Sequence, residues 1–332
     1  MPRCNTLRAL TAFAGLSATI TLASCSGSQN GTSIDKLNAA GASFPAAIYQ
    51  RWFQELSSEG VTVNYQSVGS GAGVRQFTAE TIDFGASDKP MTKEEIAKIK
   101  RGVVQIPMTA GAIAVAYNLE GCNLKLSQKQ LADIFLGKIK NFSELDCQDQ
   151  PIAVVHRSDG SGTTYNFTNH LSAISEEWKN GPGSAKSIKW PTGVGSKGNE
   201  GVAAQLNQIK GGIGYVEVAY VKGKLQAASL TNGSGELIKP TNQSESAALA
   251  SINLGADLTG SNPNPKQGYP IVTFTWVLAY ETGNGEKTPA LKKTFAFMLS
   301  NQSQSKAPQL GYVTLPKEVV TRSLTAVEKI SE

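Results

Sequence analysis

The chain has 332 residues, of which 40% are hydrophobic and 17% are charged. This composition is globular and excludes a disordered chain, and the length is enough for two lobes around separate hydrophobic cores. The 31 basic and 26 acidic residues leave a net charge of +5. So small an excess, without a cluster of Lys and Arg, gives no support to a nucleic-acid-binding function.

The N-terminus is typical of a secretory signal. Two arginines and no acidic residue lie in residues 1–8, and a mildly apolar run follows over residues 9–22. The run is too short for a membrane-spanning helix, which needs about 20 residues. Leu-Ala-Ser-Cys, ending at Cys25, resembles the bacterial lipobox, in which the cysteine is acylated. We predict a lipoprotein signal peptide over residues 1–24 and a lipid on Cys25; an ordinary signal peptide is the alternative.

Residues 25–33 are rich in Ser and Gly and contain nothing to bury. Such a composition predicts a flexible tether between a membrane anchor and a folded domain. A lipid at one end of this tether would hold the domain near a membrane without fixing its orientation.

The cysteine count predicts one disulfide. Of four cysteines, Cys4 leaves with the predicted signal and Cys25 carries the predicted lipid, so Cys122 and Cys147 remain. In an exported, oxidising setting these two are expected to pair. Their flanks match no redox or zinc motif, and neither a metal nor a cofactor is predicted.

Short apolar runs rich in Val, Ile and aromatic residues alternate with helical segments. The strand candidates are residues 61–66, 82–87, 112–117, 152–156, 213–217 and 271–280. Helix starts are indicated by Pro45 and by capping boxes at Thr92 and Ser127. Residues 69–74 and 82–85 are loosely echoed by residues 195–202 and 212–215, which suggests two similar halves. The alternation predicts an α/β protein with mainly parallel strands.

Three junctions between a strand and a helix consist of small polar residues, at residues 41–45, 69–73 and 157–163. A helix N-terminus presents unpaired N–H groups and the positive end of the helix dipole, and glycine allows an anion to approach closely. One such junction can be a mere cap or tight turn. Three together, one of them containing an arginine, indicate an anion site.

Several motifs resemble one known family. They are Gly-Ala-Ser-Phe-Pro from Gly41, Asp-Phe-Gly-Ala-Ser-Asp from Asp83, His-Arg-Ser-Asp-Gly-Ser-Gly-Thr from His156 and Gly-Tyr-Val-Glu-Val-Ala-Tyr from Gly214. They are similar to those of the phosphate-binding proteins of bacterial ABC phosphate importers. The resemblance implies a two-lobed α/β fold of the periplasmic-binding-protein type II class, with phosphate in the cleft between the lobes.

The resemblance also implies a set of binding residues. Asp159 is expected to pair with Arg157 and hold it in place; an exposed ion pair is the alternative for these two residues. The implied phosphate ligands are Ser43, the Phe44 backbone N–H, Ser70, Asp88, Arg157, Ser161, Gly162 and Thr163.

Asp88 is expected to decide which anion binds. At neutral pH both forms of phosphate carry a proton, whereas sulfate carries none. An ionised Asp88 can accept that proton but meets only lone pairs on sulfate, so it favours phosphate. The alternative is a surface aspartate that caps the next helix.

The predicted first lobe comprises residues 34–111 and 273–332, the second comprises residues 112–272, and two strands cross between them. We expect an exported monomer, in the periplasm or at the cell surface, that binds phosphate and delivers it to the membrane subunits of an ABC permease. It is not expected to be an enzyme, because His156 and His170 are the only histidines and no triad or metal motif is present. The alternatives are a binder of sulfate, molybdate or arsenate, and an exported phosphatase on the same fold.

Overall fold

The computed structural model describes residues 35–332 of the chain. The predicted signal peptide, the predicted tether and the predicted lipid site at Cys25 lie outside the described residues. The strands of the described part are β1 Asp35–Gly41, β2 Val61–Ser67, β3 Phe84–Ser87, β4 Val103–Asn118, β5 Lys125–Leu126, β6 Ala153–Arg157, β7 Val194–Ser196, β8 Gly212–Glu217, β9 Gln226–Ala227, β10 Ser229–Thr231, β11 Leu237–Ile238 and β12 Val272–Tyr280.

The α-helices of the same part are α1 Ala46–Ser57, α2 Ser70–Thr78, α3 Lys93–Ile96, α4 Gln128–Phe135, α5 Gly162–Ile174, α6 Glu176–Asn180, α7 Gly198–Gln208, α8 Asn242–Leu249, α9 Thr288–Leu299, α10 Asn301–Gln304 and α11 Lys317–Val327. Short 3-10 helices lie at Phe142–Leu145, Val218–Tyr220, Gly285–Lys287 and Pro308–Leu310. Both predicted capping boxes are confirmed: the Thr92 and Ser127 hydroxyls accept the N–H of Glu95 and Gln130, each at 3.2 Å. Among the described residues, no helix combines the length and the hydropathy needed to cross a bilayer.

One long strand, β4, belongs to two groups of strands. The large sheet has the order β2-β1-β3-β12-β4-β8-β6-β7, and β9 also pairs with β4. Residues 103–112 of β4 pair with β12, and residues 113–118 pair with β8. We call the strands on the β12 side the first half-sheet and those on the β8 side the second half-sheet. A small separate sheet has the order β11-β10-β5.

The strands are not mainly parallel, so that prediction was wrong. The pairs of β1 with β2 and β3, and of β6 with β7 and β8, are parallel. The pairs of β12 with β3 and β4, and of β4 with β8 and β9, are antiparallel. The reason is the route of the chain. It leaves the first half-sheet along β4 and returns along β12, so these two neighbours run in opposite directions.

Aromatic side chains fix α1 on the first half-sheet. Tyr49 and Trp52 are fully buried, and their rings stack with centroids 6.0 Å apart. Burying a large apolar side chain contributes roughly 1.5–3 kcal/mol, and the polar edge of Trp52 is satisfied because its indole N–H donates to the Ser303 carbonyl at 3.1 Å. The start of α1 is thereby held at the end of β1, where the first predicted junction lies.

The predicted disulfide is confirmed: Cys122 and Cys147 are bonded, with Cα atoms 5.4 Å apart and a sequence separation of 25. We expect reduction of this bond to lower the free energy of unfolding by about 3 kcal/mol, because the cross-link restricts the unfolded chain. Denaturant unfolding with and without a reductant measures the difference. The Cys122→Ser, Cys147→Ser double variant should be as stable as the reduced protein and insensitive to the reductant; an equally stable reduced protein contradicts the prediction.

Candidate anion-binding site

The structure brings the three predicted junctions together. Residues 41–45 connect β1 to α1 and residues 69–73 follow β2, so both lie at the carboxyl ends of two parallel strands in the first half-sheet. Residues 157–163 follow β6 in the second half-sheet. The second and third junctions touch directly, since the Gly71 N–H donates to the Gly160 carbonyl at 2.7 Å.

The first junction is held by tyrosine hydroxyls that come from distant parts of the chain. Three successive carbonyls accept them: Ala42 from Tyr65 at 2.6 Å, Ser43 from Tyr220 at 2.7 Å and Phe44 from Tyr312 at 2.8 Å. Burial raises the pKa of all three phenols, so they stay protonated and donate.

The same contacts aim the Phe44 N–H. The peptide that joins Ser43 to Phe44 is planar and trans, so its N–H points away from its carbonyl oxygen. Because Tyr220 and the Ala46 N–H both donate to that oxygen, the Phe44 N–H is directed to the opposite side of the peptide. Both Ser43 and Phe44 are buried.

Ser70 begins α2 and lies against Asp88 and the third junction. Its hydroxyl oxygen accepts the Asp88 backbone N–H at 3.3 Å. A Cβ placed on Gly162 would lie 2.6 Å from the Ser70 Oγ and 2.8 Å from the Asp88 nitrogen. Only glycine at position 162 therefore lets the start of α5 approach the start of α2 this closely.

The Asp88 carboxylate is buried, with 1% of the residue exposed. The Thr275 hydroxyl donates to its Oδ1 at 2.9 Å, and the Thr163 hydroxyl donates to its Oδ2 at 3.2 Å. Burial raises the pKa of Asp88 to about 6, although the hydrogen bond from Thr275, the charge of Arg157 and the hydrogen bonds from Thr163 act in the opposite direction. Asp88 is therefore not the surface cap that was the alternative.

Arg157 and Asp159 form a bidentate pair. The Arg157 Nε and Nη2 donate to the two Asp159 carboxylate oxygens at 2.8 and 2.5 Å. The Gly198 N–H, at the start of α7, also donates to Asp159 at 3.0 Å. Burial disfavours both charges, yet the pairing raises the pKa of Arg157 and lowers that of Asp159. Arg157 is 3% exposed, so the pair is not the exposed one that was the alternative.

Ser161, Gly162 and Thr163 form the start of α5 and are buried. The Ser161 hydroxyl oxygen accepts the Thr164 N–H at 3.0 Å, so this serine caps the helix, and its own proton remains available to donate. Arg157 Nη1 lies 3.5 Å from the Thr163 Oγ1. All eight predicted ligand residues, and Asp159 beside them, thus lie in one region.

Three residues of this region were missed in the sequence, and the first two lie on α7 and β12. Asn199, on the first turn of α7, is fully buried, and its Nδ2 donates to the Ser43 Oγ at 2.8 Å and to the Thr163 Oγ1 at 3.2 Å. Thr275 lies in the centre of β12. The signals were present: Asn199 follows the glycine-rich segment that echoes the second junction, and Thr275 is a polar residue in an apolar strand.

A third missed residue, Tyr215 on β8, holds the backbone of Arg157. Its ring stacks on Phe167 with centroids 4.3 Å apart. Its hydroxyl accepts the Arg157 backbone N–H at 3.1 Å and lies 2.7 Å from the Thr164 Oγ1. No local pattern in the sequence distinguishes this tyrosine from the other core aromatics.

The region combines hydrogen-bond donors with one buried acceptor, and this chemistry suits a protonated anion. Among the eight predicted ligand residues and Asp159, the charged side chains are one guanidinium and two carboxylates, one of which is neutralised by the guanidinium. The remaining donors are hydroxyls and the N–H groups at the starts of α1, α2 and α5, which attract an anion without carrying net charge. Within residues 35–332, no three His, Cys, Asp or Glu side chains are grouped as a metal site.

The fold and the site together define the class of protein to which this chain belongs. The sequence matches the PBP superfamily domain over residues 26–302. A solved structure of the high-affinity periplasmic phosphate-binding protein PfluDING, bound with phosphate, superposes with a TM-score of 0.74 at 22% identity and covers 86% of this chain and 92% of its own. An ABC-type phosphate transport receptor from Vibrio cholerae gives a TM-score of 0.58 at 19% identity, with 84% and 100% covered. The chain therefore has the two-lobed, type II fold of periplasmic binding proteins.

A curated relative narrows the class to a family. The phosphate-binding protein PstS of Pasteurella multocida is 42% identical over 313 residues, which cover 88% of this chain and 89% of the relative. This chain belongs to the PstS family of phosphate-binding proteins.

The raised pKa of Asp88 predicts a pH-dependent stability of the ligand-free protein. Because folding raises this pKa from 3.8 to about 6, the folded state holds the proton more tightly, and ionisation destabilises the fold as pH rises. Relative to Asp88→Asn, the free energy of unfolding of the unchanged protein should fall by about 3 kcal/mol between roughly pH 3 and pH 7. Denaturant unfolding of both proteins across this range measures the difference. Groups that titrate equally in the two proteins cancel when their free energies of unfolding are subtracted. A difference that does not change with pH contradicts the prediction.

Proposed function

We propose that this protein binds inorganic phosphate outside the cytoplasmic membrane and delivers it to an ABC phosphate import permease. The observation that carries the proposal is a buried carboxylate, Asp88, set among hydrogen-bond donors from both half-sheets. Family membership supports the ligand, and the solved relatives that are named as periplasmic and as a transport receptor support the location and the partner.

The proposed ligands act in two groups. Helix starts provide directed N–H groups at Phe44, Gly162 and Thr163, and charge-assisted hydrogen bonds contribute roughly 1.5–3 kcal/mol each. Several of them suffice, since micromolar binding requires only about 8 kcal/mol. The side chains proposed to donate are Ser43, Ser70, Arg157 and Ser161, with Asp159 holding Arg157 in position. The Thr163 hydroxyl already donates to Asp88, so Thr163 is proposed to contribute its N–H.

Asp88 is proposed to select phosphate. The carboxylate can accept the proton that phosphate carries, whereas on sulfate it meets only oxygen lone pairs. Its pKa of about 6 leaves it mostly ionised at neutral pH. The neutralised Arg157 leaves no surplus positive charge that would bind any oxyanion indiscriminately. Sulfate and other fully deprotonated oxyanions are therefore the less favoured ligands.

The proposed lobes are residues 34–111 with 273–332, and residues 112–272. The pairing of β4 supports this division, because its partner changes from β12 to β8 between residues 112 and 113. A cleft between lobes that close over the ligand would bury the anion, and the closed form would be what the permease recognises.

A binding role is preferred to catalysis. The His156 ring stacks on Trp190, and its Nδ1 contacts the Arg157 carbonyl. The His170 Nδ1 contacts the Pro263 carbonyl, and burial lowers the His170 pKa to about 4. Each histidine has a structural contact of its own that does not involve a site serine, which argues against a phosphatase that uses one of them as a base.

We propose that the protein acts as a monomer.

Anion titration of the detergent-purified protein, freed of bound ligand, tests the proposal. We expect one phosphate per chain at micromolar strength or tighter, unaffected by excess sulfate. Asp88→Asn should weaken phosphate binding less than about 10-fold while sulfate affinity rises by more than about 10-fold, because a repulsive acceptor becomes a donor. Isothermal titration at neutral pH, with sulfate as competitor, measures both.

Asp83→Asn is the matched control. Asp83 lies five residues before Asp88 and contacts the Asn38 N–H at 2.7 Å and Lys287 at 2.6 Å. This variant should bind both anions as the unchanged protein does. Absence of phosphate binding overturns the proposed function, and unchanged sulfate rejection by Asp88→Asn overturns the role of Asp88.

The proposed lipid anchor has its own test. Mass spectrometry of the protein exported by a bacterial host should find a mature N-terminus at Cys25 that carries acyl groups. Cys25→Ser should lose the lipid and leave the membrane fraction, because the lipid is the proposed attachment. An unmodified N-terminus at any other residue contradicts this prediction.

A further inference from the structure

Asn199 connects the two sides of the proposed site. It lies in α7, which packs on β8 of the second half-sheet, whereas Ser43 precedes α1, which packs on β2 of the first. Both the backbone N–H and the Nδ2 of Asn199 donate to the Ser43 Oγ, at 3.0 and 2.8 Å. Both residues are buried, so water does not compete freely for these contacts.

The orientation of the Asn199 amide is determined by its other partner. The Glu217 backbone N–H donates to the Asn199 Oδ1 at 2.9 Å. Since a backbone N–H can only donate, the oxygen of the amide must face Glu217, and the NH₂ group must face Ser43. Glu217 ends β8, opposite Ile113 of β4, so this constraint comes from the strand of the second half-sheet that pairs directly with β4.

The contact changes what the Ser43 hydroxyl can do. A serine hydroxyl has one proton and two acceptor lone pairs. Asn199 occupies both lone pairs. The Ser43 O–H can therefore no longer accept a further hydrogen bond; it can only donate one.

We propose that Asn199 is a positioning residue that converts the Ser43 hydroxyl into an obligatory donor to the bound phosphate. The inference rests on the proposed function and on Ser43 as a phosphate ligand. The Asn199 NH₂ group already donates to the Ser43 Oγ and the Thr163 Oγ1, so Asn199 is proposed to act through Ser43 and not by contacting the anion. A hydroxyl that is fixed as a donor before the anion arrives loses little freedom on binding, and a phosphate oxygen is a strong, charged acceptor for its proton.

A double-mutant cycle separates this role from a purely structural one. We expect Asn199→Ala to weaken phosphate binding about 10-fold, because the Ser43 hydroxyl is then free to turn away. In a Ser43→Ala background the same change should weaken binding less than about 2-fold, since the group through which Asn199 acts has been removed. Isothermal titration of the four detergent-purified full-length proteins gives the two ratios.

Asn207→Ala is the matched control on the same helix. Asn207 also accepts a backbone N–H, from Lys224 at 2.9 Å, and donates to a carbonyl, that of Ala203 at 3.0 Å. This variant should bind phosphate as the unchanged protein does. It therefore accounts for any effect of removing an amide from α7.

The outcomes distinguish the inference from the proposed function. If the unchanged protein and Asn207→Ala bind no phosphate, the proposed function is wrong. If they bind phosphate while Asn199→Ala binds equally well, the inference is wrong and the function stands. If Asn199→Ala loses the same factor with and without the Ser43 hydroxyl, Asn199 does not act through Ser43, which also overturns the inference.

A second variant keeps the test valid if Asn199→Ala does not fold. Asn199→Asp retains an acceptor for the Glu217 N–H and replaces only the donor that faces Ser43. Because the carboxylate would draw the Ser43 proton toward itself, affinity should fall more than about 10-fold, and by a smaller factor in the Ser43→Ala background. Equal factors in the two backgrounds would overturn the inference.

Discussion

Burial of the Asp88 carboxylate sets the conditions that the surrounding groups must meet. A buried charge without partners is strongly unfavourable, so it must be met by donors or an opposite charge. Thr275 comes from the first half-sheet, whereas Thr163 and the charge of Arg157 come from the second. Even so, the pKa stays raised. To stabilise this one carboxylate, groups from both half-sheets must lie at the same point. The carboxylate can still accept a hydrogen bond from a protonated ligand.

The charges of Arg157 and Asp159 are paired, so the attraction of an anion to this region does not depend on a net positive charge. Asp159 accepts two hydrogen bonds from Arg157 and a third from the start of α7. The proposed ligand would then meet a set of oriented dipoles at helix starts, which the scaffold fixes before binding. Such a site discriminates by the direction of donors and acceptors, which a positively charged patch cannot do.

Much of this arrangement was accessible from the sequence, because strands, caps and junctions are local features. The apolar runs at residues 61–66 and 271–280 lie in β2 and β12, apart from the first residue of the second run, and the disulfide followed from a count of the thiols that remain after export. Strand direction was not accessible, since it depends on the route of the chain through β4 and β12. Thr275 and Asn199 were missed for a similar reason: their roles come from partners 187 and 156 positions away.

Three tyrosine hydroxyls donate to consecutive carbonyls of the first junction, so distant parts of the chain contact this one loop. The hydroxyls come from residues 65, 220 and 312, so the loop contacts an early, a middle and a late part of the sequence. Contacts of such long range carry a high loop-closure cost, and they require most of the chain to be in place. The loop at Ser43 and Phe44, which is proposed to bind the ligand, is therefore held by contacts from the entire fold. A chain truncated before Tyr312 would lack the hydroxyl that holds the Phe44 carbonyl.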